Sequence, residues 1–124
     1  MGGGRLLVLD DDATVGQVLV AGAQSMGFEA KMYSEVPAFL DCVRSWGPTH
    51  LAIDLTLPGA SSSDVLRQVA QAGSRARIII CSGAERAELD SALEHARALG
   101  LTAGGALAKP YRLASLRQLL TFID

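Results

Sequence analysis

Acidic side chains follow two apolar segments of this 124-residue chain, at the point where each segment ends. Asp10 and Asp11 come directly after residues 6–9, and Asp54 comes directly after residues 50–53. If these carboxylates converge, they repel one another, and without a partner at least one tends to hold a proton. A divalent cation removes that conflict, and carboxylates combined with waters and a backbone carbonyl suit Mg²⁺. Asp10, Asp11 and Asp54 therefore indicate a magnesium site.

The next aspartate has a simpler structural explanation. Asp12 directly precedes a segment with helical spacing, and an aspartate in that position commonly accepts hydrogen bonds from the first backbone N–H groups of a helix. Asp10 and Asp11, directly at a strand end, fit that explanation less well. We therefore predict that Asp12 caps a helix and that the two aspartates before it face the cation.

A serine and a lysine follow two further apolar segments. Lys109 comes after residues 103–107 and precedes Pro110, and a residue before proline is held in extended backbone. Its ammonium group balances the carboxylates and can hold a phosphoryl oxygen through a charge-assisted hydrogen bond. Ser82, after residues 76–81, offers a hydroxyl group to the same kind of oxygen, although a serine in this position is more often a helix cap.

The segments that position these side chains alternate between two kinds. Five apolar segments are predicted strands, at 6–9, 28–33, 50–53, 76–81 and 103–107. Five segments with helical spacing follow them, and the second spans about 36–46 with Ser34 as its candidate N-cap. This alternation predicts an α/β fold whose parallel sheet is covered on both faces, with helices ending at the glycines at 27, 47, 73 and 100. Because ligands bind at the carboxyl ends of such strands, the polar residues are expected to gather in one crevice.

Composition and charge exclude several functional classes. The formal net charge is −2 and there is no basic run, so binding of nucleic acid or a membrane surface by this domain has no electrostatic support. No apolar run approaches the roughly 18 residues of a membrane span, and no signal peptide is recognisable. Cys42 and Cys81 lie in apolar surroundings, which predicts buried, reduced thiols in a cytoplasmic protein. We expect one domain over 1–124, with 1–4 as a flexible lead-in.

Four motifs in this order resemble those of the receiver domains of two-component response regulators. They are Leu-Val-Leu-Asp-Asp-Asp at 7–12, Ile-Asp-Leu-Thr-Leu-Pro-Gly at 53–59, Ile-Cys-Ser-Gly at 80–83 and Leu-Ala-Lys-Pro-Tyr at 107–111. The resemblance covers essentially the whole chain. It implies a flavodoxin-like, doubly wound (βα)5 fold with a five-stranded parallel sheet of order 2-1-3-4-5.

The resemblance also implies a role for each matching residue around the cation. Asp54 would be the phosphoacceptor and a ligand of Mg²⁺. Asp11 would bind Mg²⁺ directly, Asp10 would contribute through water, and the backbone carbonyl of Thr56 would complete the protein ligands.

The same resemblance assigns the phosphoryl oxygens to Ser82 and Lys109. The donor would be a sensor histidine kinase, a phosphotransfer protein or a small acyl phosphate. Such a domain is a signalling phosphoacceptor that catalyses only its own phosphorylation and dephosphorylation, and it is not otherwise an enzyme.

The sequence departs from the family pattern in two ways that bear on signalling. Ala106 occupies the position of the usual switch aromatic, and Tyr111 does not replace that aromatic. The separation between Ser82 and Lys109 is longer than usual, which predicts a longer fourth helix or a larger loop after it. This stretch is similar to receivers that precede EAL-type cyclic-di-GMP phosphodiesterase domains, so such an output domain downstream is one expectation. A homodimer is compatible with the fold, and nothing in the sequence selects it.

The sequence is also compatible with two other functional hypotheses. A haloacid-dehalogenase-type phosphatase would use Asp10 as its nucleophile, since Asp-Asp-Asp-Ala-Thr at 10–14 fits the motif of that family. Against it, no acidic pair follows Lys109. A receiver-like interaction module that works without phosphorylation is the second alternative, and the alanine at position 106 motivates it.

Overall fold

A computed structural model describes residues 4–57, 59, 61–83, 86–109 and 111–121. The first three residues of the predicted lead-in lie outside the described residues, as do Pro58 and Pro110. Gly4 is described, and its carbonyl accepts a hydrogen bond from the Glu29 amide at 3.0 Å. The backbone bonding between the first two strands therefore already includes Gly4.

Five strands and five helices alternate along the described chain. Their bounds are β1 (Arg5–Leu9), α1 (Ala13–Ser25), β2 (Glu29–Tyr33), α2 (Val36–Trp46), β3 (His50–Asp54), α3 (Ser62–Gln71), β4 (Arg77–Ser82), α4 (Arg86–Ala98), β5 (Thr102–Ala108) and α5 (Leu113–Thr121). The strands form one sheet of order β2-β1-β3-β4-β5, and every neighbouring pair is parallel. The predicted fold class and strand order are confirmed.

The ends of the helices follow from short-range chemistry. The Asp12 carboxylate accepts hydrogen bonds from the amides of Thr14 and Val15, so its prediction as the cap of α1 is confirmed. The glycines at 27, 47, 73 and 100 all adopt positive φ after a helix, as the predicted stops require. The prediction of Ser34 as the cap of α2 was wrong by one residue, because Glu35 occupies that position. Proline is tolerated anywhere in a first turn, so Pro37 did not locate the cap to a single residue.

Two apolar cores lie on opposite faces of the sheet. One lies between the sheet and helices α2, α3 and α4, and the other lies between the sheet and helices α1 and α5. Leu7 and Leu9 point into the first core, whereas Leu6 and Val8 point into the second. Cys42 and Cys81 are buried free thiols, as predicted. No helix in the described ranges is both long and apolar enough to cross a bilayer.

Strand β5 contains an irregularity that the sequence did not predict. Ile78 pairs with Ala103 and Ile79 pairs with Gly105, so Gly104 is an extra residue in the edge strand. Such a β-bulge bends the strand and increases its twist. A Cβ atom at Gly104 would lie 3.3 Å from the backbone oxygen of Ile78, which favours glycine there. Helix α4 has 13 residues, the same length as α1.

Candidate functional site

The strand register brings the predicted site residues to one edge of the sheet. Leu9 pairs with Ile53, so Asp10 follows beside Asp54. The pairing of β1 with β2 also extends one residue past the end of β1, because the Asp10 amide donates a hydrogen bond to the Tyr33 carbonyl at 3.1 Å.

The next two strands continue the same edge. Asp54 pairs with Cys81, and Ser82 pairs with Ala108, so Ser82 and Lys109 each follow one step beyond. The amide of Lys109 donates to the carbonyl of Ser82 at 3.0 Å, which ties the start of the β5–α5 loop to the end of β4. Ser82 itself is fully buried.

Three carboxylates converge at this edge. Asp10, Asp11 and Asp54 each offer a carboxylate oxygen, and these oxygens lie within 4.8 Å of one another. Asp10 and Asp54 are each only 1% exposed, whereas Asp11 is exposed. Burial raises the pKa of Asp10 above its ordinary value, and the charge of Asp54 adds to the shift, although the 2.9 Å hydrogen bond from the Asp12 amide opposes it. The cluster therefore carries more negative charge than its surroundings compensate.

Lys109 supplies the nearest positive charge. Its ammonium nitrogen lies 3.2 Å from Asp54 Oδ2 and 3.9 Å from Asp10 Oδ2. Partial burial by itself would lower the pKa of Lys109, but the hydrogen bond and charge of Asp54, together with the charge of Asp10, outweigh it and raise that pKa. The lysine is therefore protonated and placed between the two buried carboxylates.

Thr56 orients the Asp54 carboxylate. Asp54 Oδ1 accepts a hydrogen bond from the Thr56 amide at 3.0 Å and another from the Thr56 hydroxyl at 2.9 Å. Sequence reasoning singled out the carbonyl of Thr56 and missed these two donors. The signal was available, since aspartate side chains often bond the backbone two residues ahead.

The donor set fits a hard divalent cation. Asp10 Oδ2 is buried and has no hydrogen-bond partner among the described residues, because Lys109 is too far away for one. A buried carboxylate oxygen without a donor is costly, and a cation or its bound water would satisfy it. All of the candidate ligand atoms are oxygens, as Mg²⁺ prefers.

Two residues that the sequence linked to signalling lie on different sides of β5. Ala106 is exposed on this edge strand, whereas Tyr111 is partly buried and packs against the core between the sheet and helices α1 and α5. The structure therefore has no aromatic side chain at position 106, and Tyr111 lies in another place.

Comparison with known proteins gives one consistent result. The family model described as "Response regulator receiver domain" matches residues 6–121. The "Transcriptional regulatory protein QseB" of Escherichia coli O157:H7 is 28% identical over 109 residues, which cover 88% of this chain and 48% of that protein. This chain therefore spans about half the length of that relative.

Solved structures show the same fold. A response regulator from Colwellia psychrerythraea has a TM-score of 0.78 at 27% identity, with 95% of this chain and 94% of that chain covered. The chemotaxis response regulator CheY4 of Vibrio cholerae has a TM-score of 0.79 at 18% identity, with 94% and 95% covered. The second likeness concerns the fold alone.

Proposed function

This chain belongs to the response regulator receiver domain family of two-component signal transduction, and we propose that Asp54 is its phosphoacceptor. The observation that carries the proposal is the pairing of a buried Asp54 carboxylate with Lys109 at 3.2 Å, beside the carboxylates of Asp10 and Asp11. A buried nucleophile, a fixed cation and an acidic cluster are the parts that phosphoryl transfer needs.

We propose that Asp10, Asp11, Asp54 and the Thr56 carbonyl hold Mg²⁺ in this site. When bound, Mg²⁺ neutralises charge that develops on the transferring phosphoryl oxygens. Thr56 holds the Asp54 carboxylate in one orientation, so the attacking oxygen meets phosphorus without a search of rotamers.

The transfer forms a bond between an Asp54 oxygen and phosphorus and breaks the phosphorus bond to the donor. The donor is a phosphohistidine of a sensor histidine kinase or phosphotransfer protein, or a small acyl phosphate. The leaving imidazole or carboxylate keeps the electron pair of the broken bond. Lys109 is placed to exchange its contact with Asp54 for one with a phosphoryl oxygen, and Ser82 is placed to donate its hydroxyl to another.

The product changes the charge of the site. A phosphoryl group carries about −1.5 to −2 charges at neutral pH. Moving a two-state equilibrium from 1:99 to 99:1 takes about 5.5 kcal/mol, and one hydrogen bond to a charged group supplies roughly 1.5–3 kcal/mol. Phosphorylation would therefore shift the population in part, and binding of a partner would complete the shift.

The output of the whole protein is a separate proposal. The sequence resemblance favours an EAL-type phosphodiesterase domain downstream, whereas QseB is named a transcriptional regulatory protein. We propose a cytoplasmic location, because the proposed phosphoryl donors act there. We also propose that the chain can form a homodimer, which sedimentation with and without beryllofluoride would test. Sequencing the gene that encodes this chain would show whether it encodes either output domain.

Site mapping after phosphorylation tests the proposed function. The protein is incubated with acetyl phosphate and Mg²⁺, its intact mass is measured, and the modified residue is located by peptide mapping. We expect one added phosphoryl group on Asp54, with none in Asp54→Asn. Asp64→Asn is the matched control, because Asp64 is an exposed aspartate of α3 that pairs with Arg67.

The outcomes separate the competing readings. Labelling of Asp10 would favour a phosphatase of the haloacid-dehalogenase type. A folded protein that takes no label would favour an interaction module. Mg²⁺ binding should be followed by calorimetry rather than by tryptophan fluorescence. Trp46 is the only tryptophan in the sequence, and its carbonyl lies beside Arg5, at the opposite end of the strands from the site. Its fluorescence should therefore not respond to the cation.

A further inference from the structure

Helix α1 differs from the other helices because it carries no charged residue. Charged residues make up 19% of the sequence, yet none falls among the 13 residues of α1. Helices α2, α3 and α4 each carry both signs of charge, and Arg117 is the one charged residue of α5. The outer face of an exposed helix normally carries charged and polar side chains. The outer face of α1 has neutral side chains only.

Two large apolar side chains are exposed where α1 meets α5. Among the described residues, the large apolar side chains that are exposed are Val18, at 45%, and Leu113, at 60%. A Cβ atom at Gly22 would lie 2.9 Å from Leu113 Cδ2, so Leu113 reaches from α5 to α1. Val18 precedes Gly22 by one helical turn, which puts both exposed side chains on the seam between the two helices. With the exposed Ala21 they form one apolar surface, the α1–α5 face, defined by Val18, Ala21 and Leu113.

The absence of charge on this face indicates what covers it. In a dimer of identical chains, a twofold axis places the same surface of each chain against its copy. Any charge near that axis would then face a like charge, which opposes association. A different partner protein could supply opposite charges, and such pairs commonly use them to speed their encounter. A neutral apolar face therefore suits a second copy of this chain better than a different partner.

We propose that the α1–α5 face is the surface through which two copies of this chain associate. The inference gives the homodimer proposed above a defined interface. It does not depend on phosphorylation of Asp54, so the dimer should form in the unmodified protein.

The size of the face predicts a weak dimer. Helix α1 has 13 residues and α5 has 9, which makes them about 20 Å and 14 Å long. At a width of about 10 Å each, the two helices present an outline of about 300–400 Å². A standard interface buries about 800 Å² on each partner, so dimers should accumulate only at about 100 µM or above.

Sedimentation equilibrium of the unaltered chain, without Mg²⁺ or beryllofluoride, tests the proposal. We expect the mass to rise from 13.0 kDa toward twice that value as the concentration increases from about 10 µM to about 1 mM. Val18→Asp and Ala21→Asp would each bury an unpaired carboxylate in the dimer, so each should weaken dimerisation more than tenfold.

Two comparisons separate the interface from the fold. Ala38→Asp is the matched control for Ala21→Asp, because Ala38 is exposed on α2, on the opposite side of the sheet, and this variant should dimerise like the unaltered chain. Valine and aspartate have similar helix propensities, so the thermal midpoint of Val18→Asp should change little in dilute, monomeric solution. If that midpoint falls, Ala21→Asp decides the result.

Three results would overturn the inference. The first is a mass of 13.0 kDa at every concentration, and the second is dimerisation that Ala21→Asp leaves unchanged. The third is a dimer that Ala106→Asp on β5 dissociates while Ala21→Asp does not, because the interface would then lie elsewhere. Labelling of Asp54 by acetyl phosphate is measured in parallel. A chain that dimerises through this face but takes no label would remove the proposed function and leave this inference standing.

Discussion

Replacing Asp10 with asparagine should separate the stability of this fold from the function of its site. Asparagine keeps the shape of the side chain and can still accept the hydrogen bond from the Asp12 amide, while the negative charge disappears. Because Asp10 is 1% exposed and one of its oxygens lacks a donor, the charge should be unfavourable in the absence of a cation.

The size of the stability change can be estimated from the distances between the Asp10 carboxylate and its charged neighbours. At an effective dielectric constant of about 20, carboxylate oxygens no more than 4.8 Å apart repel by at least about 3.5 kcal/mol, and Asp10 has two such neighbours, Asp54 and the exposed Asp11. Lys109 at 3.9 Å returns about 4.3 kcal/mol of attraction, which offsets most of this repulsion because solvent screens the charge of Asp11. The buried, unsatisfied oxygen adds about 1–3 kcal/mol in the same direction as the remaining repulsion. We expect Asp10→Asn to raise the free energy of unfolding by about 1–2 kcal/mol without Mg²⁺.

Mg²⁺ should make the unaltered protein more stable than Asp10→Asn. A ligand at 100 times its Kd stabilises the native state by about 2.7 kcal/mol, and only the unaltered protein should gain it. The assay is urea unfolding followed by circular dichroism at neutral pH, first with a chelator and then in a Mg²⁺ series. The two stability curves should cross as Mg²⁺ increases.

The control and the refuting result are both specific. Asp12→Asn should match the unaltered protein in both conditions, because asparagine caps a helix as well as aspartate does. If Asp10→Asn is less stable than the unaltered protein in chelator, attraction to Lys109 outweighs burial and the reasoning is wrong. If it gains the same stability from Mg²⁺, Asp10 is not part of the cation site.

The remaining predictions concern Thr56 and His50. Thr56→Val removes one of the two donors to Asp54, so the initial rate of labelling by acetyl phosphate should fall about threefold to tenfold. Thr56→Ser keeps the hydroxyl and should keep the rate. Equal rates in both variants would contradict the orienting role of the Thr56 hydroxyl. His50 is buried, and burial followed by the charge of Arg77 lowers its pKa, so the fold favours the neutral ring. Its contribution to stability should be complete above about pH 6.5 and decline as the pH falls below that value, because the unfolded chain then binds the proton more readily. Urea unfolding at pH 7.5 and 5.5 should show a smaller loss of stability for His50→Gln than for the unaltered protein. Identical losses in the two proteins would exclude His50 as the cause.

Much of the architecture can be predicted from patterns within short stretches of the sequence. Strand and helix periodicities, the cap at Asp12 and the glycine stops at 27, 47, 73 and 100 depend on neighbours within a few residues, so the sequence predicts them. The positions of Asp10, Asp54 and Lys109 at strand ends are equally local. Their meeting follows from the rule that parallel strands share one carboxyl edge.

Other features depend on contacts that local patterns do not contain. Lys109 and Asp54 are 55 residues apart in sequence, and whether they meet at 3.2 Å or merely share an edge depends on the register of the central strands. The bulge at Gly104 arises from the fit of β5 against β4, which no periodicity encodes. Likewise, only packing places Tyr111 against the core between the sheet and helices α1 and α5.

The sequence by itself therefore determined the kind of chemistry that this chain can carry, because residue types and strand ends are local properties. Only the tertiary structure decided which oxygens are paired. The Asp54 carboxylate is satisfied by Thr56 and Lys109, whereas Asp10 Oδ2 has no hydrogen-bond partner among the described residues. Hydrogen-bond satisfaction depends on distances of a few tenths of an ångström between distant segments, and those distances exist only once the core has packed.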